Sequence, residues 1–106
     1  MYIVVLITTA HKEEAHKIAY ALLTNKAAAC VNIIDAVESA YWWQGKIETG
    51  KEVLLVVKTK TAKFNSVVKL VKALHSYTVP EIIALPIVSG EKSYLRWLDE
   101  SVRKSP

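Results

Sequence analysis

The stretch from Ala28 to Trp43 contains neither proline nor glycine, and the pair Gln44-Gly45 follows it at once. This pair suits a two-residue hairpin turn, because glycine adopts the positive φ that such turns require. Lys46–Lys60 then forms the returning strand, in which Thr49-Gly50 is typical of a β-bulge or, alternatively, of the turn itself. The sequence therefore predicts one very long β-hairpin.

Such a hairpin is too long for the rest of a small domain. A strand of about 16 residues spans roughly 50 Å, whereas a helix of about 15 residues spans roughly 22 Å. We therefore expect an overhang with Tyr41, Trp42 and Trp43 at its tip. Leaving such rings in water forfeits about 1.5–3 kcal/mol each. A neighbouring subunit that receives the tip removes this cost, so we predict an oligomer; the alternative is a tip that folds back onto its own domain.

Three helices and two further strands complete the pattern. Tyr2–Thr8 is a β-branched run that predicts a buried strand, and Thr9 is placed to cap the next helix. A second helix opens at Thr61, and Ile82–Val88 forms a fourth strand before a last helix. Apolar residues recur at helical spacing, at Ala15, Ile18, Ala19, Leu22 and Leu23, at Phe64, Val67, Val68, Val71 and Leu74, and at Tyr94, Leu95, Leu98 and Val102. The order βαββαβ plus a C-terminal helix predicts an α+β ferredoxin-like sandwich in one domain, residues 1–106.

The composition excludes several classes of protein. The longest uncharged stretch, Met1–Ala10, has about half the length of a membrane span, and no basic residues precede it as in a signal peptide. One cysteine, Cys30, cannot form an internal disulfide. We therefore expect a cytoplasmic protein with no membrane partner. The net charge of +4 leaves nucleic acid open, but scattered lysines and central strands without an aromatic pair predict no nucleic-acid partner.

The loop after the second helix concentrates side chains that bind metals. His75 and Glu81 lie on either side of the rigid Pro80, and imidazole and carboxylate are metal ligands; alternatively, His75 only interacts with the dipole at the helix end. Cys30 offers a soft thiolate ligand, and its alternative role is that of a small buried hydrophobic residue. The sequence lacks the motifs of P-loops, dinucleotide sites, zinc proteases and CxxC redox sites.

Five blocks of the sequence resemble, in the right order, the CutA divalent-cation tolerance proteins. They are Ala28–Ile33, Tyr41–Glu48, Lys58-Thr59, His75–Ile83 and Tyr94–Leu98. The blocks extend over essentially the whole chain. The resemblance implies a ferredoxin-like subunit, a trimer formed through long hairpins with the overall shape of PII signalling proteins, and a cytoplasmic role in copper and divalent-metal tolerance.

The resemblance also bears on the candidate copper ligands. Some bacterial relatives are proposed to bind copper through a cysteine at the end of the first strand and two histidines after the second helix. His75 matches one of these histidines, whereas Leu74 and Thr8 occupy the other two positions. One of the three proposed ligands is therefore present in this chain.

The leading hypothesis is a homotrimeric protein, not an enzyme, that binds copper or another divalent cation and carries no firmly predicted cofactor. Its candidate metal ligands are His75, Glu81 and Cys30, and its candidate interface residues are Tyr41, Trp42 and Trp43.

The alternative hypothesis is a PII-like signalling protein that binds a small anion or metabolite in clefts between subunits. Its candidate ligand-binding residues are Lys46, Lys58 and Tyr77. Two further hypotheses are a hydrolase built on His75, Tyr77 and Glu81, and a purely structural scaffold without a ligand.

Overall fold

The computed structural model describes residues 1–104, which form one four-stranded sheet and three α-helices. The elements are β1 (Tyr2–Thr9), α1 (Lys12–Thr24), β2 (Cys30–Trp43), β3 (Lys46–Lys60), α2 (Phe64–Leu74), β4 (Ile82–Pro86) and α3 (Lys92–Ser101). Neighbouring strands are antiparallel, in the order β2-β3-β1-β4. The predicted α+β architecture is confirmed.

Helices α1 and α2 cover one face of the sheet, where the main core lies. Strand β1, and strand β3 from Glu52 onwards, alternate between buried and half-buried residues, because successive side chains point to opposite faces. The buried set comprises Ile3, Val5, Ile7, Val53, Leu55 and Val57 from the strands and Ala15, Ile18, Leu22, Val67 and Val71 from the helices. On the opposite face, Ile34, Ile83 and Leu85 remain 47%, 51% and 47% exposed. This chain alone therefore leaves part of the second face uncovered.

The long hairpin overhangs the rest of the sheet, as its length predicted. Gln44 and Gly45 form the turn with φ values of 50° and 78°. β1 ends at Thr9, opposite Val53, so the hairpin beyond Glu52 has no neighbouring strand among the described residues. The molecule is accordingly elongated, with extents of 47 × 27 × 21 Å.

The bulge lies in β2 and not at Thr49-Gly50, where the sequence predicted it. Thr49 and Gly50 stay in regular register with β2, which also excludes the alternative turn there. The register shifts between Ile34 and Val37, where Ala36 has φ of 58°. Asp35 explains the position, since its Oδ1 accepts the Ala36 N–H at 2.8 Å and takes this residue out of the ladder.

Several predicted ends of elements are wrong by a few residues. Thr9 does not cap α1; it stays in β1 and donates its hydroxyl to the carbonyl of His11, which is the N-cap residue. Thr61 opens a 3-10 turn rather than α2, and β4 ends at Pro86 instead of Val88. β2 begins at Cys30, because the N–H groups of Ala27 and Ala28 both donate to Leu22 at the end of α1.

The apolar residues predicted at helical spacing are buried or half-buried, except near the ends of the helices. Leu23 and Leu74 are 39% and 43% exposed, since both lie at the last turns of their helices. In α3, Leu98 and Val102 are buried, whereas Tyr94 is 43% exposed. α3 begins after Glu91, whose carboxylate accepts the N–H groups of Ser93 and Tyr94.

Candidate functional site

The loop after α2 is fixed by the side chain of His75. The chain leaves the helix at this residue, and the imidazole is fully buried. Its Nε2 lies 2.7 Å from the carbonyl oxygen of Thr8, and its Nδ1 lies 3.0 Å from the backbone nitrogen of Tyr77. Because a backbone N–H can only donate, Nδ1 is the acceptor and Nε2 carries the proton. Both ring nitrogens are thus bonded within the chain, and they join the loop to the end of β1.

Glu14 of α1 holds the other side of this loop. Its Oε1 accepts the Ser76 N–H at 3.1 Å, and its Oε2 lies 3.6 Å from Nδ1 of His75. Oε2 is buried and accepts no hydrogen bond from the residues that the structure describes. Nothing in the sequence spacing indicates that Glu14 contacts a loop about sixty residues later.

Tyr77 connects the loop to the base of the overhang. Its ring packs against that of His75 with centroids 4.7 Å apart, and its hydroxyl donates to Oε2 of Glu52 at 2.8 Å. Burial, the hydrogen bond to Glu52 and the charge of Glu52 raise the pKa of the Tyr77 phenol. Tyr77 therefore stays protonated and remains a hydrogen-bond donor at neutral pH.

A cleft of about 810 Å³ lies between this loop and the overhanging hairpin. It is lined by Glu38, Glu52 and Glu81 and by the aromatic residues Tyr41, Trp42, Trp43 and Tyr77. Because successive strand residues point to opposite faces, Tyr41 and Trp43 share the face of Glu52, whereas Glu38 and Trp42 point to the other face. Within residues 1–104, the side chains that line the cleft include no lysine or arginine. The cleft is therefore acidic and aromatic, which favours cations over anions.

The candidate metal ligands do not meet in one chain. Glu81 is exposed and lines the cleft, and His75 lies buried behind Tyr77. Cys30 is level with Lys58 and Val4, four residues or about 13 Å along the sheet from Thr8. In the described part of a single chain, no group of three or more His, Cys, Asp or Glu residues is placed to hold a metal ion.

The candidate anion-binding residues are also far apart. Lys46 and Lys58 stand twelve residues apart on β3, a distance of about 40 Å along the strand. Lys58 donates to the side-chain oxygen of Asn32, and Tyr77 alone of the three lines the cleft. A site that used all three side chains would need more than one subunit.

Comparison with known proteins places the chain in a family. A family model described as CutA1 divalent ion tolerance protein matches residues 3–101. The chain belongs to the CutA1 family. The "Divalent-cation tolerance protein CutA" of Thermus thermophilus is 52% identical over 98 residues, which cover 92% of this chain and 95% of that protein. The "Protein CutA 1, chloroplastic" of Oryza sativa is 47% identical over 103 residues, 97% of this chain but 58% of the rice protein, so this chain spans little more than half the length of that relative.

Solved CutA structures have the same fold. The structure described as the "Periplasmic divalent cation tolerance protein CutA from Archaeoglobus fulgidus" matches with a TM-score of 0.94 and 48% identity. The match covers 97% of this chain and all of that one. The four strands and three helices described above are therefore those of a CutA subunit.

The predicted cytoplasmic location is wrong in the light of these CutA relatives. The archaeal structure is described as periplasmic and the rice protein as chloroplastic. The prediction rested on a single cysteine and on the residues around the first strand, and these report on disulfides and leader segments rather than on the compartment. Among residues 1–104, no helix combines the length and the apolar character needed to span a bilayer.

Proposed function

We propose that this CutA1 family member is a homotrimer that binds divalent cations, copper among them, and that it is not an enzyme. Its relatives are named for tolerance to divalent cations. The observation that carries the proposal is the exposed aromatic overhang that borders an acidic cleft. The overhang supports assembly, and the carboxylates support the attraction of cations.

The overhang supports a trimer built through the hairpins. Tyr41, Trp42, Trp43 and Ile47 are 45%, 71%, 45% and 64% exposed in one chain. β2 and β4 are the two edges of the sheet and present backbone groups that another strand can pair with. A neighbouring subunit that receives the hairpin covers the exposed ring of Trp42 and one of these edges together.

Assembly would also complete a cation site that one chain lacks. Glu81 is exposed beside the cleft, so its carboxylate is accessible to a cation and to a neighbouring subunit. His75 becomes a ligand only if it gives up its bond to Thr8 or to Tyr77. The same two bonds keep His75 from acting as a general base, which favours a binding protein over an enzyme. We therefore propose Glu81 as the primary ligand and His75 as a ligand that requires movement of the loop.

Titration of Cu(II) and Zn(II) into the wild-type protein and three variants tests the proposal. We expect Glu81→Gln to weaken binding by about tenfold or more, since it removes a charged ligand. His75→Gln keeps a hydrogen-bonding side chain in the buried site, and a loss of metal affinity in this variant would show that His75 contributes to binding. Glu100→Gln removes an equally exposed carboxylate from α3 and serves as the control. Equal affinity and stoichiometry in all four proteins would contradict the proposed site.

A further inference from the structure

We propose that the cleft between residues 75–81 and the overhang is a binding site for a small organic ammonium ion. This goes beyond the divalent cations proposed above, and it uses the same cleft. Three properties of the cleft support it: its volume, its charge and its aromatic walls.

The volume of the cleft fits an organic molecule better than a bare metal ion. Small-molecule sites typically enclose about 300–1,000 Å³, and this cleft has about 810 Å³. A metal ion fills a small part of that space and needs several ligand atoms within about 2–2.6 Å. The described residues of one chain contain no group of three or more His, Cys, Asp or Glu so placed.

The charge and the rings select the class of ligand. Glu52 and Glu81 bring carboxylates to the cleft, and the described residues that line it include no lysine or arginine, so an anion is disfavoured. Tyr41 and Trp43, alternate residues of β2 on the same face as Glu52, add aromatic rings to the cleft. The faces of such rings attract an ammonium group within about 6 Å. A cation with an organic body uses both features, whereas a hydrated metal ion uses only the carboxylates.

The cleft is also formed in advance. Tyr77 donates to Glu52 across its inner end, and His75 ties the Tyr77 backbone to β1 through Thr8. A ligand therefore does not need to order the loop when it binds, which lowers the cost of binding. In the proposed trimer a neighbouring subunit lies along the hairpin and closes the open side of the cleft.

Three probes that share one ring and differ in charge test the proposal. Benzylammonium, benzyl alcohol and benzoate are titrated into the protein, in its native oligomeric state and at physiological salt, while calorimetry and tryptophan fluorescence record binding. A chelator is present throughout, so the result does not depend on metal binding. We expect saturable binding of benzylammonium, binding of benzyl alcohol that is at least about tenfold weaker, and no binding of benzoate.

Matched variants locate the site. Glu81→Gln should weaken benzylammonium binding by about fivefold, whereas Glu100→Gln on α3 should leave it unchanged. Trp43→Leu should reduce both the affinity and the fluorescence change, whereas Trp97→Leu on α3 should not. The proposal is overturned if benzylammonium does not saturate, if it binds no better than benzyl alcohol, or if Glu100→Gln weakens binding as much as Glu81→Gln.

Discussion

At the scale of single residues, a chain of polar contacts positions the cleft. Glu14 contacts Ser76, His75 contacts Thr8 and Tyr77, and Tyr77 contacts Glu52. These contacts join α1, β1, β3 and the loop after α2. Apart from Ser76, which is exposed, the members are half-buried, and each has its partner within the set except for one oxygen of Glu14. These contacts therefore hold the loop against α1, β1 and β3 and position the inner wall of the cleft.

The Tyr77→Phe variant tests whether the hydrogen bond between Tyr77 and Glu52 stabilises the fold. The variant removes the hydroxyl that donates to Glu52 and leaves the ring contact with His75 in place. We expect the free energy of unfolding to fall by about 1 kcal/mol, measured by chemical denaturation. Tyr20→Phe is the control, because Tyr20 is 74% exposed on α1. An equal effect of the two substitutions would show that the bond to Glu52 contributes nothing.

Because the pKa of Tyr77 is raised, the difference in unfolding free energy between wild type and Tyr77→Phe should depend on pH. A phenol whose pKa is higher in the folded state than in the unfolded state contributes stability that is complete below the unfolded value of about 10. This contribution is lost as the pH rises above that value, when the unfolded chain releases its proton first. We therefore expect the stability difference between wild type and Tyr77→Phe to shrink at alkaline pH. Ultraviolet titration should show that Tyr77 is among the last of the five tyrosines to ionise; early ionisation would contradict the assignment.

At the scale of elements, the sequence predicted the features that depend on neighbouring residues and missed those that depend on tertiary contacts. The hairpin turn followed from Gln44-Gly45, because a positive φ at both positions is a property of these residues and their neighbours. The bulge at Ala36 could not be predicted, because it depends on a hydrogen bond from the Ala36 N–H to the Asp35 side chain in place of a bond to the neighbouring strand. Gly50 instead led to a wrong prediction of the bulge in β3. The contacts of His75 and Tyr77 depend on tertiary packing across sequence separations of 67 and 25 residues. The sequence thus proposed His75, Tyr77 and Glu81 as candidates, whereas the structure adds Glu14 and Glu52 as their contacts.

The two glycines of β3 and its turn offer a matched test of the hairpin. Gly45 has φ of 78° with open space around its Cβ position, so Gly45→Ala is strained by the backbone alone. We expect a loss of about 1 kcal/mol in unfolding free energy. Gly50 has equally open surroundings and stays in the regular ladder, so Gly50→Ala should be neutral or slightly stabilising. The same change in melting temperature for both variants would contradict a turn at Gln44-Gly45.

At the scale of the whole molecule, the overhang carries apolar side chains that one chain cannot bury. The core lies under α1 and α2, while the exposed apolar residues concentrate on the hairpin and on the uncovered face of the sheet. Ile34, Ile83 and Leu85 on that face are each about half exposed. Single exposed apolar residues are ordinary on a protein surface, but several of them on one sheet face, together with the unpaired edge strands β2 and β4, are what we expect of a subunit interface. The same hairpin that builds the cleft is thus the element through which we expect the subunits to associate.

Trp42→Ala compared with Tyr20→Ala tests whether the overhang drives assembly. The two rings are almost equally exposed in one chain, at 71% and 74%, so either substitution should leave the folded subunit intact. Only Trp42 lies on the overhang, and a buried tryptophan at the centre of an interface contributes about 2 kcal/mol or more to association. We expect wild type and Tyr20→Ala to sediment as trimers at micromolar concentration, and Trp42→Ala to dissociate at concentrations where they do not. A wild-type monomer would end the trimer proposal, and identical dissociation curves for the two variants would move the interface away from the hairpin tip.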